Sequence, residues 1–261
     1  MENLKNKNVI IDIQNVGLTY EAKKNPIKAI EDISLQIKNG DFLCLLGPSG
    51  CGKSTLLRIM AGYLKPTTGI CHMQGKPISG PDWNRGVVFQ SPTLYPWMSV
   101  RKNVEFGPRM KNLPEADIKG IARHYLEQVE LIDFSDKATY ELSGGMKQRV
   151  ALARVLANEP EVILMDEPFG ALDALTRVNM QKLIRDIWLK NNNTIFMITH
   201  DIDEALSLGT RVLVMSKSPG KILKEYKLDF TYKAIENKYG RIKIEEEYLN
   251  IKEDILVMIN R

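Results

Sequence analysis

Between positions 47 and 55 the chain reads Gly47, Pro48, Ser49, Gly50, Cys51, Gly52, Lys53, Ser54, Thr55, a G-x-x-x-x-G-K-[ST] string that few folds can accommodate. Gly47, Gly50 and Gly52 let the backbone turn so that successive N–H groups converge on an anion, where a Cβ would stand in the way. Lys53 adds a point charge for the β- and γ-phosphates of a nucleotide and Ser54 a hydroxyl for Mg²⁺, while the following helix directs its positive end at the same anion. This chemistry requires a strand before the loop and a helix after it. Both flanks comply: Phe42 to Leu46 is an apolar run of buried-strand length, and Lys53 to Ala61 reads as a helix stopped by Gly62.

Composition limits what surrounds the loop. With 261 residues, 44% hydrophobic and 26% charged, the chain can bury one large core or two modest ones. No apolar run approaches the roughly 18 residues of a membrane-crossing helix. The start at Met1, Glu2, Asn3, Leu4 and Lys5 lacks a signal peptide's apolar core, so a cytosolic chain is expected. Cys44, Cys51 and Cys71 show neither paired nor metal-ligand spacing, which suits reduced thiols. Cys44 falls in the apolar run and is expected in the core. Cys51 lies inside the phosphate loop, where N–H groups and Lys53 are expected to lower its pKa and expose it to alkylation without nucleotide. The balance of 36 basic against 32 acidic residues, net +4, makes no case for nucleic acid and suits an anionic membrane surface equally well.

Alternating apolar residues over Val9 to Ile13 and Ile30 to Ile37 predict an antiparallel sheet ahead of the loop. Val87 to Phe89, Val162 to Met165, Ile195 to Ile198 and Val212 to Met215 are short apolar runs separated by helical stretches, the α/β pattern of a parallel sheet. Between Val100 and Ala157 helical spacing dominates, which places an inserted helical subdomain over about 95–157. In the tail, 226–261, Ile244, Tyr248, Ile251, Ile255, Met258 and Ile259 recur at helical spacing after the acidic run at Glu245 to Glu247. That predicts an amphipathic helix packed on the main domain, 1–225.

Two further segments carry chemistry. The run Val162 to Met165 ends in Asp166 and Glu167, two carboxylates at the carboxyl end of a buried strand, where a doubly wound sheet binds ligand. Asp166 suits Mg²⁺, directly or through water, and Glu167 suits polarising a water for attack on a γ-phosphate. Leu142, Ser143, Gly144, Gly145, Met146, Lys147, Gln148 and Arg149 precede a helix, where Ser143 and the N–H groups of Gly144 and Gly145 form a second anion site. Ser143 as helix cap is compatible with that role.

The string from Leu142 to Arg149, placed before the acidic strand end, resembles the signature motif of ATP-binding-cassette (ABC) ATPases, and the resemblance extends over about residues 8–220. It implies a P-loop NTPase core with a parallel sheet, an N-terminal antiparallel β subdomain and the inserted helical subdomain. ATP and Mg²⁺ are then the expected ligands. By the same resemblance, Tyr20 stacks on adenine, Gln90 contacts Mg²⁺ or the attacking water, Asp173 communicates across a dimer, and His200 contacts the γ-phosphate. Met146 stands where the family commonly has glutamine, but glycine and serine make the phosphate contacts, so activity is expected to survive.

Leu94, Tyr95, Pro96, Trp97, Met98, Ser99 and Val100, followed by Asn103 and Val104, resemble a segment of importer ATPases for nitrate, sulfonate, taurine and pyrimidine precursors. There it forms part of a groove for a coupling helix, and Tyr95, Trp97 and Met98 are expected to be exposed for that purpose. The resemblance thus implies a homodimer closing head to tail on two ATP molecules, integral membrane permease subunits, indirectly a solute-binding protein, and peripheral attachment at the cytoplasmic face of the membrane. No nucleic-acid partner is expected. The competing readings are an exporter ATPase, whose cassettes are usually fused to membrane helices, and a soluble cassette acting on nucleic acid or ribosomes, which usually carries long coiled-coil insertions or two cassettes.

Overall fold

A computed structural model describes residues 8–21, 25–236 and 246–260. The chain forms two compact units, one from residues 1–82 and 194–261, the other from 83–193.

In the first unit, β1 (Val9–Tyr20) and β2 (Ile27–Lys38) pair antiparallel, and β4 (Thr68–Met73) and β5 (Lys76–Pro77) extend the sheet in the order β2-β1-β4-β5. The alternation seen in the sequence seats Ile11, Ile13, Ile33, Leu35 and Ile37 in the core. Register shifts interrupt the long pair near Asn15 and Asp32, both at positive φ, and the Asn15 Nδ2 donates to Asp32 Oδ1 at 2.8 Å.

The same unit holds β3 (Phe42–Leu46), parallel to β8 (Thr194–Ile198) on one side and to β9 (Arg211–Met215) on the other, with β10 (Ile222–Lys227) antiparallel to β9. Every residue of β3 and β8 is buried, which explains their unbroken apolar runs. Helix α1 (Lys53–Met60) follows β3, α6 (Ile202–Leu208) follows β8, and α7 (Phe230–Glu236) and α8 (Glu246–Asn260) come last. Gly62, at φ +80, ends the turn after α1; a Cβ there would lie 2.2 Å from the Gly80 carbonyl oxygen. On α8, Tyr248 and Ile255 are buried, whereas Leu249, Leu256 and Val257 are exposed. Ile244 lies outside the described residues.

In the second unit, β6 (Arg85–Val88) runs parallel to β7 (Val162–Asp166), and β6 ends one residue before Phe89, the predicted strand end. Between them lie α2 (Val100–Met110), α3 (Glu115–Gln128) and α4 (Gly144–Leu156), with two 3₁₀ segments, Ile132–Phe134 and Thr139–Glu141, between α3 and α4; α5 (Ala174–Asn191) follows β7. Val104, Ala122, Leu126, Val150 and Ala153 are among the core residues of this unit. Among the described residues no helix is long and apolar enough to cross a membrane.

Candidate functional site

In the first unit, β3 delivers the chain to Gly47, and the loop turns through Gly50 at φ +76 and Gly52 at φ +101. A Cβ at Gly52 would sit 2.5 Å from Ile30 Cγ2 and 2.8 Å from the Ala29 oxygen, so the position accepts only glycine. Gly52 directly precedes α1, aiming that helix's N–H end at the loop, with Ser54 and Thr55 in its first turn. Lys53 is 6% exposed, and its ammonium donates to the carbonyls of Gly47 at 2.7 Å and Pro48 at 2.9 Å. Buried charge needs such partners, and the loop itself provides them. Ser49 and Gly50 are exposed at the tip.

Two more predicted residues belong to this half. The Tyr20 hydroxyl lies 3.1 Å from Thr55 Oγ1, and its ring, 39% exposed, is available at the loop's edge. His200 follows Thr199, whose N–H donates to the Leu45 carbonyl of β3 at 3.2 Å, so the exposed His200 stands beside the strand that feeds the loop. Thr199 Oγ1 donates to Glu204 Oε2 at 2.6 Å and accepts from Asp201 N at 3.0 Å, while Asp201 Oδ1 caps α6 by accepting from Glu204 N at 3.1 Å.

Cys51 corrects one expectation. Burial, at 1% exposure, pushes its thiol up, and Lys53 and the loop N–H groups offset only part of that rise. Cys44 lies in the core as predicted, and there too burial raises the thiol.

In the second unit, the four buried residues of β7 lead to Asp166, which is half-buried, and then to Glu167, a non-glycine residue at φ +46. The bend turns the Glu167 side chain toward Gln90, whose Nε2 donates to Glu167 Oε2 at 3.3 Å. Left-handed backbone at a carboxylate is a cost that folds retain at functional positions. Ser143 caps α4, its Oγ accepting from Met146 N at 3.3 Å. Ser143 and Gly144 are exposed, whereas Gly145 is buried against Thr176, whose Cγ2 would lie 2.4 Å from a Cβ there. Asp173 caps α5, accepting from the Thr176 N–H at 3.0 Å, and its bonds to that N–H and to the Thr176 hydroxyl hold its carboxyl below the usual range. The structure therefore brings Gln90 to Glu167, and the signature loop to Asp173 through Thr176.

Two buried polar residues were missed as site residues. Gln148, 2% exposed in α4, donates to the Phe89 carbonyl at 3.2 Å and so ties the signature helix to the segment that carries Gln90. Asn103, fully buried in α2, accepts from Tyr95 N at 2.8 Å and donates to the carbonyls of Tyr95, Met98 and Ser99. Each occupies a core position of its helix, Asn103 with Val100, Val104 and Gly107, and Gln148 with Gly145 and Leu152. A polar residue in an apolar stripe was the available signal.

The segment fixed by Asn103 differs from expectation. Trp97 is 76% exposed, but Tyr95 and Met98 are half-buried. Tyr95 packs on Phe106 at a ring separation of 4.6 Å and lies 5.1 Å from the Arg154 guanidinium. Of the three residues expected at the surface, Trp97 is thus the one that is largely exposed.

The residues suit ATP with Mg²⁺. A loop too tight for a Cβ at Gly52, a buried ammonium and the hydroxyls of Ser54 and Thr55 match a polyphosphate, and Asp166 with Gln90 offers oxygen donors for a hard cation. The ABC transporter family pattern matches residues 30–170. The chain is 49% identical over 248 residues to the taurine import ATP-binding protein of Jannaschia sp. (strain CCS1), covering 95% of this chain and 92% of that protein. It is 42% identical over 247 residues to the nitrate import ATP-binding protein of Synechocystis sp., covering 94% and 93% respectively. A solved dimeric ATP-binding cassette in a post-hydrolysis state with ADP and Pi is 33% identical, with a TM-score of 0.74 over 84% of this chain and 99% of that one. On these grounds the chain belongs to the ABC transporter family, as one of its ATP-binding, ATP-hydrolysing cassettes.

Proposed function

We propose that the chain drives an importer of a small solute of the nitrate, sulfonate, taurine or pyrimidine-precursor type, pairing head to tail with a second copy around two ATP molecules. Tyr20 stacks on adenine, and the loop from Gly47 to Thr55 holds the phosphates, with Lys53 on the β- and γ-phosphates. Ser54, Asp166 and Gln90 would hold Mg²⁺, which when bound neutralises charge on the phosphate oxygens. Glu167 accepts a hydrogen bond from the attacking water and takes its proton, Gln90 orients that water, and His200 donates to the γ-phosphate. Ser143, Gly144 and Gly145 close over the nucleotide of the opposite copy, and Asp173 links the two sites.

The observation that carries the reading is the 3.3 Å contact between Gln90 and Glu167 at the end of a buried strand. It supports the reading because a carboxylate beside an amide suits a proton acceptor paired with a group that orients water. The paired arrangement is supported by the dimeric cassette to which the chain is similar. Import is supported by the taurine and nitrate import relatives. In this reading residues 1–225 are the ATPase domain, the helical part over about 95–157 meets the permease subunits through Trp97, and the tail 226–261 packs on the domain. The chain would sit on the cytoplasmic face of the membrane, with a solute-binding protein acting on the permeases from the other side.

Light scattering of Glu167→Gln, with and without ATP, tests the paired site. ATP should convert monomer to a stable dimer that does not turn over; a variant that binds ATP and stays monomeric would overturn the composite site. Reconstitution with the permease subunits tests import, and turnover indifferent to them would count against it.

A further inference from the structure

We propose that the C-terminal helix α8 positions His200 for catalysis, acting through Asp203 on the first turn of α6. This rests on the reading of His200 as the γ-phosphate contact, and goes beyond it by assigning the tail a role in turnover.

His200 occupies a short loop whose two ends are tied together. Thr199, 1% exposed, and Glu204, 6% exposed, share the 2.6 Å bond beneath it, and Asp201 bridges both through its N–H and its carboxylate. A loop closed in this way moves with α6 as a body. The position of α6 is set from two sides. At its far end, Thr231 of α7, fully buried, donates to the Ser207 carbonyl at 2.6 Å. At its near end, three residues from His200, Asp203 Oδ1 accepts from the Tyr248 hydroxyl at 2.7 Å, and Lys252 Nζ reaches both Asp203 oxygens at 2.8 and 2.7 Å.

The face of α8 is arranged for this contact. Tyr248, Lys252 and Ile255 recur at helical spacing, so the apolar residues that seat the helix also aim the hydroxyl and ammonium at Asp203. Tyr248 is further fixed edge-on against Phe230 of α7, with ring centroids 5.4 Å apart. Asp203 is partly desolvated, yet Lys252 and Tyr248 hold its carboxyl below the usual range, so the tether is ionic at working pH.

A helix that merely covered the domain would need only its apolar face. The same helix supplies an internal control. Asp254 accepts from Lys224 at 2.5 Å and from the Tyr226 hydroxyl, both on the edge strand β10, which does not carry His200. The two tethers are alike in chemistry and differ in what they hold.

Steady-state ATP hydrolysis by the full chain tests the proposal. In Tyr248→Phe/Lys252→Met, kcat should fall about tenfold while KM for ATP stays within about twofold, because the phosphate loop and Tyr20 are untouched. Tyr248→Phe/Lys252→Arg, which puts a cation back opposite Asp203, should recover most of kcat, and Lys224→Met/Asp254→Asn should leave it at the wild-type value. Asp203→Asn, a milder change that keeps the side chain's shape, should lower kcat in the same direction. In a His200→Ala background the Tyr248/Lys252 pair should cause no further loss. Unchanged kcat in that pair, or an equal fall in the β10 control, overturns the positioning role while leaving His200 as assigned. Wild-type kcat in His200→Ala alone overturns the parent reading and this one with it.

Discussion

Gly52 and Gly145 both stand at the start of a helix, and a Cβ at either would meet a neighbour, but the neighbours differ. At Gly52 the obstacles are Ile30 Cγ2 and the Ala29 carbonyl, with the backbone at φ +101; at Gly145 the close atom is the Thr176 methyl. The phosphate loop is therefore fixed by main chain, with a buried lysine inside it, and is formed by one copy of the chain alone. The signature loop is fixed by one side-chain cap, while Ser143 and Gly144 remain on the surface. In the proposed reading, the first anion site is thus preorganised within one chain, while the second waits for a nucleotide held by the opposite copy.

This contrast can be broken by substitution. The largest effect is expected for Lys53→Ala, which removes the cation from the preorganised site; ATP turnover should fall on the order of 10³-fold, measured by phosphate release. Retained turnover would mean that the loop's backbone alone suffices. Gly52→Ala comes next. It forces a Cβ onto a carbonyl at positive φ and should lower stability by about 3 kcal/mol in denaturant melts, whereas Gly144→Ala, with open space around it, should stay within about 0.5 kcal/mol.

Ser143→Ala sharpens the comparison from the other side. Loss of the cap should cost about 1 kcal/mol and leave ATP binding by the single chain unchanged in calorimetry; weakened binding to the monomer would place Ser143 in the first site instead. The smallest effect concerns Cys51. Because burial raises its thiol, thiolate becomes abundant only above the ordinary thiol range, so iodoacetamide labelling at neutral pH should be slow and should keep rising as pH passes that range. A rate that levels off below neutrality would restore the low pKa expected from the loop's charges alone.

Strands β3, β7, β8 and β9 and the phosphate loop were legible because buried parallel strands are continuous apolar runs and the loop's glycines answer a local backbone demand. What escaped depends on contacts between distant residues. The Lys53 charge was visible next to Cys51, but the strands burying that thiol were not, and burial outweighed the charge. Gln148 and Asn103 stood at core positions, yet periodicity cannot say which carbonyl a buried amide will find. The tail read as an amphipathic helix, but the partner of its charged residues was not legible, since nothing local links Lys252 to Asp203, 49 positions away. Tyr95 was expected at the surface for want of knowing that Phe106 and Arg154 would cover it.

The two carbonyls that grip Lys53 have a thermodynamic consequence. In the proposed reading, where Lys53 meets the phosphates, the ammonium already has partners before ATP arrives, so binding is an exchange of carbonyl oxygens for phosphate oxygens and the affinity measures only the difference between them. The same substitution that lets the loop release its lysine more easily would tighten nucleotide binding and weaken the fold, so affinity and stability at this loop are opposed by construction.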